Sequence, residues 1–236
     1  MVVSFPCLFN PNKGREIRVR TLLFIHGFAT GPAVWEHQLR EFSGLYHIST
    51  SLEEIPNLEE VVLIGWSMGG WKVMELYQEF PQKVRAMVLV SAFARYLKSE
   101  DYPFGTSPAL LKRLEKKFRE GFRKGLEYFY DLLFPDKSLH YLVDKLPSLE
   151  KEDLDRWFEK LKKEDKRAFL SQIRVPVLIL HGDKDQIVPW ESSRFLQENI
   201  PCAQLFVFPG VGHAPMVEVP EWFNNTLRKF LKADVK

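Results

Sequence analysis

Hydrophobic positions fall into two rhythms along the chain. Short unbroken apolar runs occur at Thr21–Ile25 (TLLFI), Val61–Ile64 (VVLI), Ala86–Val90 (AMVLV), Val175–Leu180 (VPVLIL) and Leu205–Phe208 (LFVF). Each is bounded by Gly, Pro or charge, the pattern of strands buried on both faces. Between and after them, residues 68–79, 191–199 and 221–231 repeat their apolar positions every three or four residues, which predicts helices. Strands alternating with helices predict an α/β fold with a mostly parallel central sheet covered by helices. Val2–Leu8 and Glu16–Val19, on either side of the turn-like Asn10–Gly14, read as an antiparallel hairpin at the sheet edge.

Residues 95–170 break this alternation. They carry almost no strand signal, while Leu111, Leu114, Phe118, Phe122, Leu126, Phe129 and Leu133 recur at helical spacing. Gly121 and Gly125 lie beside that stripe, where they permit close packing or mark a break. The strand pattern resumes afterwards. The expected organisation is therefore a core domain of residues 1–94 and 171–236 with an all-helical cap inserted at 95–170.

The chain has 236 residues, enough for one sheet domain and a small cap. With 45% hydrophobic and 27% charged residues it is neither a disordered tail nor a low-complexity scaffold. Its net charge of +2 is too balanced for a general nucleic-acid binder. No apolar run approaches the ~20 residues of a membrane-spanning helix. The two cysteines, Cys7 and Cys202, have no metal-ligand spacing. They read as free thiols in a reducing compartment, and with no signal-peptide pattern the expected location is cytoplasmic.

Chemistry enters at Gly65-Trp66-Ser67-Met68-Gly69-Gly70, which follows an apolar run and opens a helix. This is G-x-S-x-G in its strand–turn–helix setting, where the turn exposes the Ser67 hydroxyl above the sheet. A serine needs a base. Among six histidines, His213 in Gly210-Val211-Gly212-His213-Ala214-Pro215 comes last, as this turn type requires. The acid must precede it, and HGDKDQIVP offers Asp183 and Asp185. Asp185, in G-x-x-D-x-x-V-P, is the expected acid, as the family resemblance given below implies. Asp183 is then expected to satisfy N–H groups of its own turn. An oxyanion hole needs two backbone N–H groups, and Phe28 and Met68 are the expected donors. His26 reads as a structural histidine fixing the Phe28 loop. No metal or organic cofactor is called for.

The HG motif, the serine elbow, G-x-x-D and the late G-H, in this order over nearly the whole chain, resemble the α/β-hydrolase superfamily. HGF followed by Trp35, then GWSMGG, a cap opening near Asp101-Tyr102-Pro103, and GHAPMVEVP is similar to one branch of it, the pimeloyl-[acyl-carrier protein] methyl ester esterases of biotin synthesis. That resemblance implies a serine carboxylesterase whose substrate contacts Phe28, Ser67, Met68, His213 and an aromatic cap residue, here Phe129 by position. It also implies an acyl-carrier protein as partner. Lys112–Lys124 holds seven basic residues against two acidic ones, a net +5, on the side opposite the Leu/Phe stripe. Lys112, Arg113, Lys116, Arg119 and Arg123 are the expected docking residues. Glu150–Arg167, with seven acids and seven bases, reads as a solvated face. A broad small-ester or acyl-thioester hydrolase with the same triad is the second reading, and a non-catalytic binding module the third. The chain is expected to act as a monomer, without nucleic acid or membrane partners. Many relatives carry a further Asp-x-x-G-x-G loop within the region matching residues 28–64, a wall of the site that is missing here.

Overall fold

A computed structural model of the chain describes residues 2–3, 21–134, 143 and 151–233. Among these, strands β1 (Val2–Val3), β2 (Thr21–Ile25), β3 (His47–Ser49), β4 (Val61–Trp66), β5 (Val84–Val90), β6 (Val177–Gly182) and β7 (Ala203–Phe208) build one sheet. Its order is β1-β7-β6-β5-β4-β2-β3. β1 runs antiparallel to β7 and all other pairings are parallel. The helices are α1 (Glu36–Phe42), α2 (Met68–Glu79), α3 (Pro108–Glu120), α4 (Phe122–Leu133), α5 (Lys151–Lys163), α6 (Glu191–Asn199), α7 (Pro215–Glu218) and α8 (Pro220–Ala233).

The apolar runs become strands because both faces are covered: β2, β4 and β6 are buried at every residue. α2 packs on β2, β4 and β5, and α6 on β6 and β7. Burial of each large aliphatic side chain in such a layer contributes roughly 1.5–3 kcal/mol. β6 starts at Val177, two residues later than its apolar run, because Pro176 has no N–H to give the ladder. Its carbonyl still accepts the Met87 N–H at 3.0 Å. At the far edge, Val2 and Val3 pair antiparallel with Phe206 and Leu205. The rest of the expected hairpin lies outside the described residues. β3, a three-residue edge strand, was not expected. It pairs parallel with β2, and a 3₁₀ turn over Leu52–Asn57 follows it.

Between β5 and β6 the chain forms α3, α4 and α5. Its entry and exit lie side by side: the Lys166 N–H donates to Ala94 O at 2.8 Å, and Arg95 bridges Asp165. The Leu/Phe stripe divides into two helices at Gly121, whose φ of 154° and ψ of 140° suit glycine alone. Gly125 serves packing instead. A Cβ there would lie 2.3 Å from the Phe118 ring. Both readings of the glycine pair are realised, one at each position.

Two expectations are corrected. Cys202 is disulfide-bonded, so it is not a free thiol and gives no support to a reducing compartment. Cys7 lies outside the described residues. The segment Glu150–Arg167 is more than a solvated face. Lys160 of α5 pairs with Glu75 of α2 at 2.8 Å, and Lys162 with Glu115 of α3 at 3.2 Å. Its balanced charges are partly spent on tying the helical block to itself and to the sheet domain. Among the described residues no helix is long and apolar enough to cross a membrane.

Candidate active site

Ser67 stands between the last residue of β4 and the first of α2, at φ 55° and ψ −122°. A non-glycine residue in that conformation costs on the order of 1–3 kcal/mol, so the surroundings must impose it. They do so through backbone contact. A Cβ at Gly65 would lie 2.4 Å from Gly69 O, and one at Gly69 would lie 2.5 Å from Ile25 O. Only glycines let the strand, the turn and the end of β2 approach this closely. The Ser67 N–H donates to Val90 O at 2.8 Å, anchoring the turn to β5.

The loop after β2 presses on the same turn. A Cβ on Gly27 would sit 3.2 Å from Ser67 Cβ. His26 Nδ1 lies 3.0 Å from Gly27 O, in keeping with a loop-fixing role. Phe28 follows Gly27, and Met68 opens α2, where backbone N–H groups have no helical acceptor. Neither N–H has a partner among the described residues.

Asp185 follows β6. Its Oδ1 accepts the Ile187 and Val188 N–H groups at 2.8 and 2.9 Å. Its Oδ2 lies 2.6 Å from His213 Nδ1 and 2.8 Å from His181 Nε2. Burial alone would push this carboxyl up. Coulombic attraction to His213 and His181 and the bonds from both rings outweigh burial and hold it well below the ordinary carboxylate range. With Nδ1–H given to Asp185, His213 Nε2 keeps its lone pair, and that buried nitrogen has no hydrogen-bond partner among the described residues. The Ser67–His213 bond is therefore not formed here, which is common for such groups before substrate binds. Trp66 brings the two loops together: its indole N–H donates to His213 O at 2.8 Å, and its ring lies 5.5 Å from the imidazole.

The other expected residues occupy distinct places. Asp183 accepts the Gly210 N–H at 2.7 Å, across to the next loop and not within its own turn. That own-turn role falls to Asp185. The Phe28 ring meets Phe118, Phe129 and Phe158 edge-on, each at 5.6 Å, so the helical block closes over the loop bearing the Phe28 N–H. Phe129 thus lies against Phe28. Lys112, Arg113 and Lys116 are exposed on α3. Together with Arg119 and the single acid Glu115, they line a shallow basin of about 550 Å³. Arg119 is paired with Glu115 at 2.7 Å and Arg123 with Glu127 at 2.9 Å. A separate cavity of about 390 Å³ runs between Leu52, Met68, Lys72, Trp157 and Lys160. Neither Ser67, Asp185 nor His213 lines it. Leu52 brings the shortened 47–57 stretch to its wall.

The arrangement pairs a strained serine with an acid-oriented imidazole and two unpartnered N–H groups, a set that can transfer an acyl group through a tetrahedral oxyanion. Residues 47–220 match the family model described as the alpha/beta hydrolase fold. The chain belongs to the alpha/beta hydrolase family. This hydrolase is 26% identical over 233 residues to a protein of Nitrosomonas europaea named pimeloyl-[acyl-carrier protein] methyl ester esterase, covering 86% of the chain and 92% of the relative. It is 30% identical over 176 residues to a protein of the same name from Neisseria meningitidis serogroup C, covering 72% of the chain and 69% of the relative. Its fold is similar to that of a hydrolase from Oleispira antarctica, with a TM-score of 0.77, 18% identity and 92% of each chain covered.

Two side chains of this alpha/beta hydrolase escaped the motif reading. His181 bonds Asp185, and its signal was a histidine four residues before the acid at the end of a buried strand. Glu218 accepts the Gly212 N–H at 2.9 Å and the Ala214 N–H at 3.1 Å, gripping the backbone on both sides of His213. Its signal was an acid five residues after the base. Glu218→Ala is expected to lower kcat about tenfold, the effect of ~1.4 kcal/mol, with the fold retained. Steady-state kinetics beside a thermal melt checks this, and an unchanged kcat would remove Glu218 from the site.

Proposed function

We propose that this hydrolase is a serine carboxylesterase that removes the methyl group from pimeloyl-[acyl-carrier protein] methyl ester during biotin synthesis. The observation that carries the substrate is the name shared by the two relatives above, one at 30% identity over 72% of the chain. The bond of 2.6 Å between Asp185 and His213 Nδ1 supports the chemistry.

In this mechanism His213 Nε2 takes the Ser67 proton as Ser67 Oγ attacks the ester carbonyl. The Phe28 and Met68 N–H groups receive the developing oxyanion charge. Asp185 stabilises the imidazolium without taking its proton. The imidazolium then protonates the departing methoxide, releasing methanol and leaving an acyl-Ser67. A water molecule, deprotonated by His213, attacks that ester and yields the free carboxylate and restored Ser67. The acyl chain runs past Phe28 and Phe129 under the cap.

The division into a core of residues 1–94 and 171–236 and a cap of residues 95–170 belongs to the same proposal. It is supported by the adjacent ends of the helical block at Ala94 and Lys166. The carrier docks on the basin edged by Lys112, Arg113, Lys116 and Arg119, with Arg123 beside it on the next helix. Opposite charge at such a surface accelerates encounter and makes it salt-sensitive. We place the monomeric enzyme in the cytoplasm, where a carrier-bound thioester would be made and used. The Cys202 disulfide stands against that placement.

The cleanest docking probes are Lys112, Arg113 and Lys116, because Arg119 and Arg123 already have acidic partners. Replacing all three with Glu is expected to lower kcat/KM on the carrier-bound methyl ester at least about tenfold at low salt. Turnover of a p-nitrophenyl ester should change less than about twofold, since rim charges act mainly on encounter. Equal effects on both substrates would dismiss the docking surface and favour a broad small-ester hydrolase. Complementation of a biotin-auxotrophic strain lacking the esterase step tests the substrate itself.

A further inference from the structure

β6 is buried at every position, and most of its side chains are aliphatic. His181, its next-to-last residue, is the polar exception and is fully buried. A polar ring in such a layer is costly unless all of its polar atoms are bonded. Here they are. Nε2 faces two acceptors, Asp185 Oδ2 at 2.8 Å and Val188 O at 3.0 Å, so it carries a proton. Nδ1 lies 2.6 Å from Ser193 Oγ on α6, a hydroxyl able to donate to it. A ring with its hydrogen on Nε2 and its lone pair on Nδ1 satisfies every partner.

The consequence falls on Asp185. Its carboxylate receives four donors, two on each oxygen. Oδ1 is fixed by the backbone of the acid's own turn. Oδ2, the oxygen that serves His213, is fixed by one additional group, the His181 N–H. A carboxylate held by backbone bonds at one oxygen can still tilt about that oxygen, and the second histidine removes that freedom. It also withdraws some of the Oδ2 charge that would otherwise act wholly on His213.

We propose that His181 is a positioning residue for the Asp185–His213 pair: it sets the direction of Asp185 Oδ2 and moderates the charge that Oδ2 presents to His213. The inference rests on the reading of Ser67, Asp185 and His213 as the catalytic triad. Among the described residues, Asp185 bonds His181 directly, His213 shares Asp185 Oδ2, and Tyr96 acts electrostatically on Asp185. Tyr96 is driven far above its usual range chiefly by burial, with Asp185 adding to the effect, and so stays neutral.

Two substitutions separate the two bonds of the ring. The glutamine amide nitrogen stands as many bonds from Cα as Nε2 does, so His181→Gln keeps a donor for Asp185. The asparagine amide reaches the place of Nδ1, so His181→Asn keeps the Ser193 contact and gives up Asp185. With rates normalised to sites titrated by a fluorophosphonate, His181→Asn is expected to lower kcat about tenfold with KM within about twofold of wild type. The acid limb of its pH–kcat/KM profile should move to higher pH by about 0.5–1 unit, because undivided Oδ2 charge favours protonated His213. His181→Gln should recover kcat to within about threefold of wild type and restore the profile. A wild-type rate and profile in His181→Asn would overturn the proposal. So would an equal loss in both variants, which marks a packing role. Histidine ¹⁵N NMR of the unaltered enzyme keeps the test independent of variant folding. His181 should read as neutral with its proton on Nε2 at neutral pH, and a doubly protonated or Nδ1–H ring would refute the assignment. Ser67→Ala runs alongside: an active Ser67→Ala enzyme removes the triad reading, whereas an inactive one with a wild-type-like His181→Asn removes only this inference.

Discussion

Ser67→Ala is expected to lower hydrolysis of a p-nitrophenyl ester by roughly 10⁴–10⁶-fold, the scale of losing a triad nucleophile. The same change should abolish labelling by a fluorophosphonate. The fold should survive, because the Ser67 side chain makes no hydrogen bond that the turn depends on. The turn is held by the Ser67 N–H on Val90 O and by the close passage of Gly65 and Gly69. The strained φ of 55° is carried equally by alanine. Circular dichroism and a thermal melt beside the kinetics separate loss of the nucleophile from loss of structure. Wild-type-like turnover in Ser67→Ala would end the serine mechanism, and absent labelling in the wild-type enzyme would favour a non-catalytic binding module.

Asp185→Asn should lower kcat by roughly 10⁴-fold through a different route. Oδ1 already accepts the Ile187 and Val188 N–H groups, so the asparagine oxygen will stay there and its NH₂ will turn to His213. An NH₂ donor requires an acceptor at Nδ1. The imidazole must then carry its proton on Nε2, where it cannot serve as base. A stability change accompanies this. Asp185 is held below its ordinary value, so its contribution to folding is complete above the unfolded carboxyl value of about 3.9 and is lost as pH falls through the folded value. Urea unfolding at pH 7, 5, 4 and 3 should show the wild type losing stability in the last steps, and Asp185→Asn lacking that part of the loss. Identical pH dependence in the two proteins would mean that the carboxylate is not held as described.

Local pattern carried much of this site. The apolar runs marked the central strands because burial on both faces leaves no room for polar alternation. The serine elbow was legible because its glycines answer to a steric demand internal to six residues. What stayed hidden depends on contacts between distant segments. β3 is too short and too polar to stand out: His47-Ile48-Ser49 becomes a strand because β2 offers an open edge. His181 looked like one histidine among six until the turn after β6 folded Asp185 back onto it. In Glu150–Arg167, equal numbers of acids and bases imitate a solvated face. Their partners Glu75 and Glu115 lie on other helices, so no pattern within the helix marks them. Cys202 is similar, since a single position in sequence does not disclose a disulfide.

Phe28 belongs to two assemblies at once. Its backbone sits in the loop beside Ser67, and its ring is packed by Phe118 of α3, Phe129 of α4, and Trp157 and Phe158 of α5. Motion of those helices away from the ring gives up these contacts, because each edge-on contact is lost beyond about 7 Å. In the proposed mechanism, the seating of α3–α5 and the aim of the Phe28 N–H are then coupled through this ring. With that coupling, a partner that binds the seated helices more tightly would, by reciprocity, bind more tightly when the oxyanion is present. A carrier that docks on the outer face of α3 would then raise the reactivity of a serine it never touches.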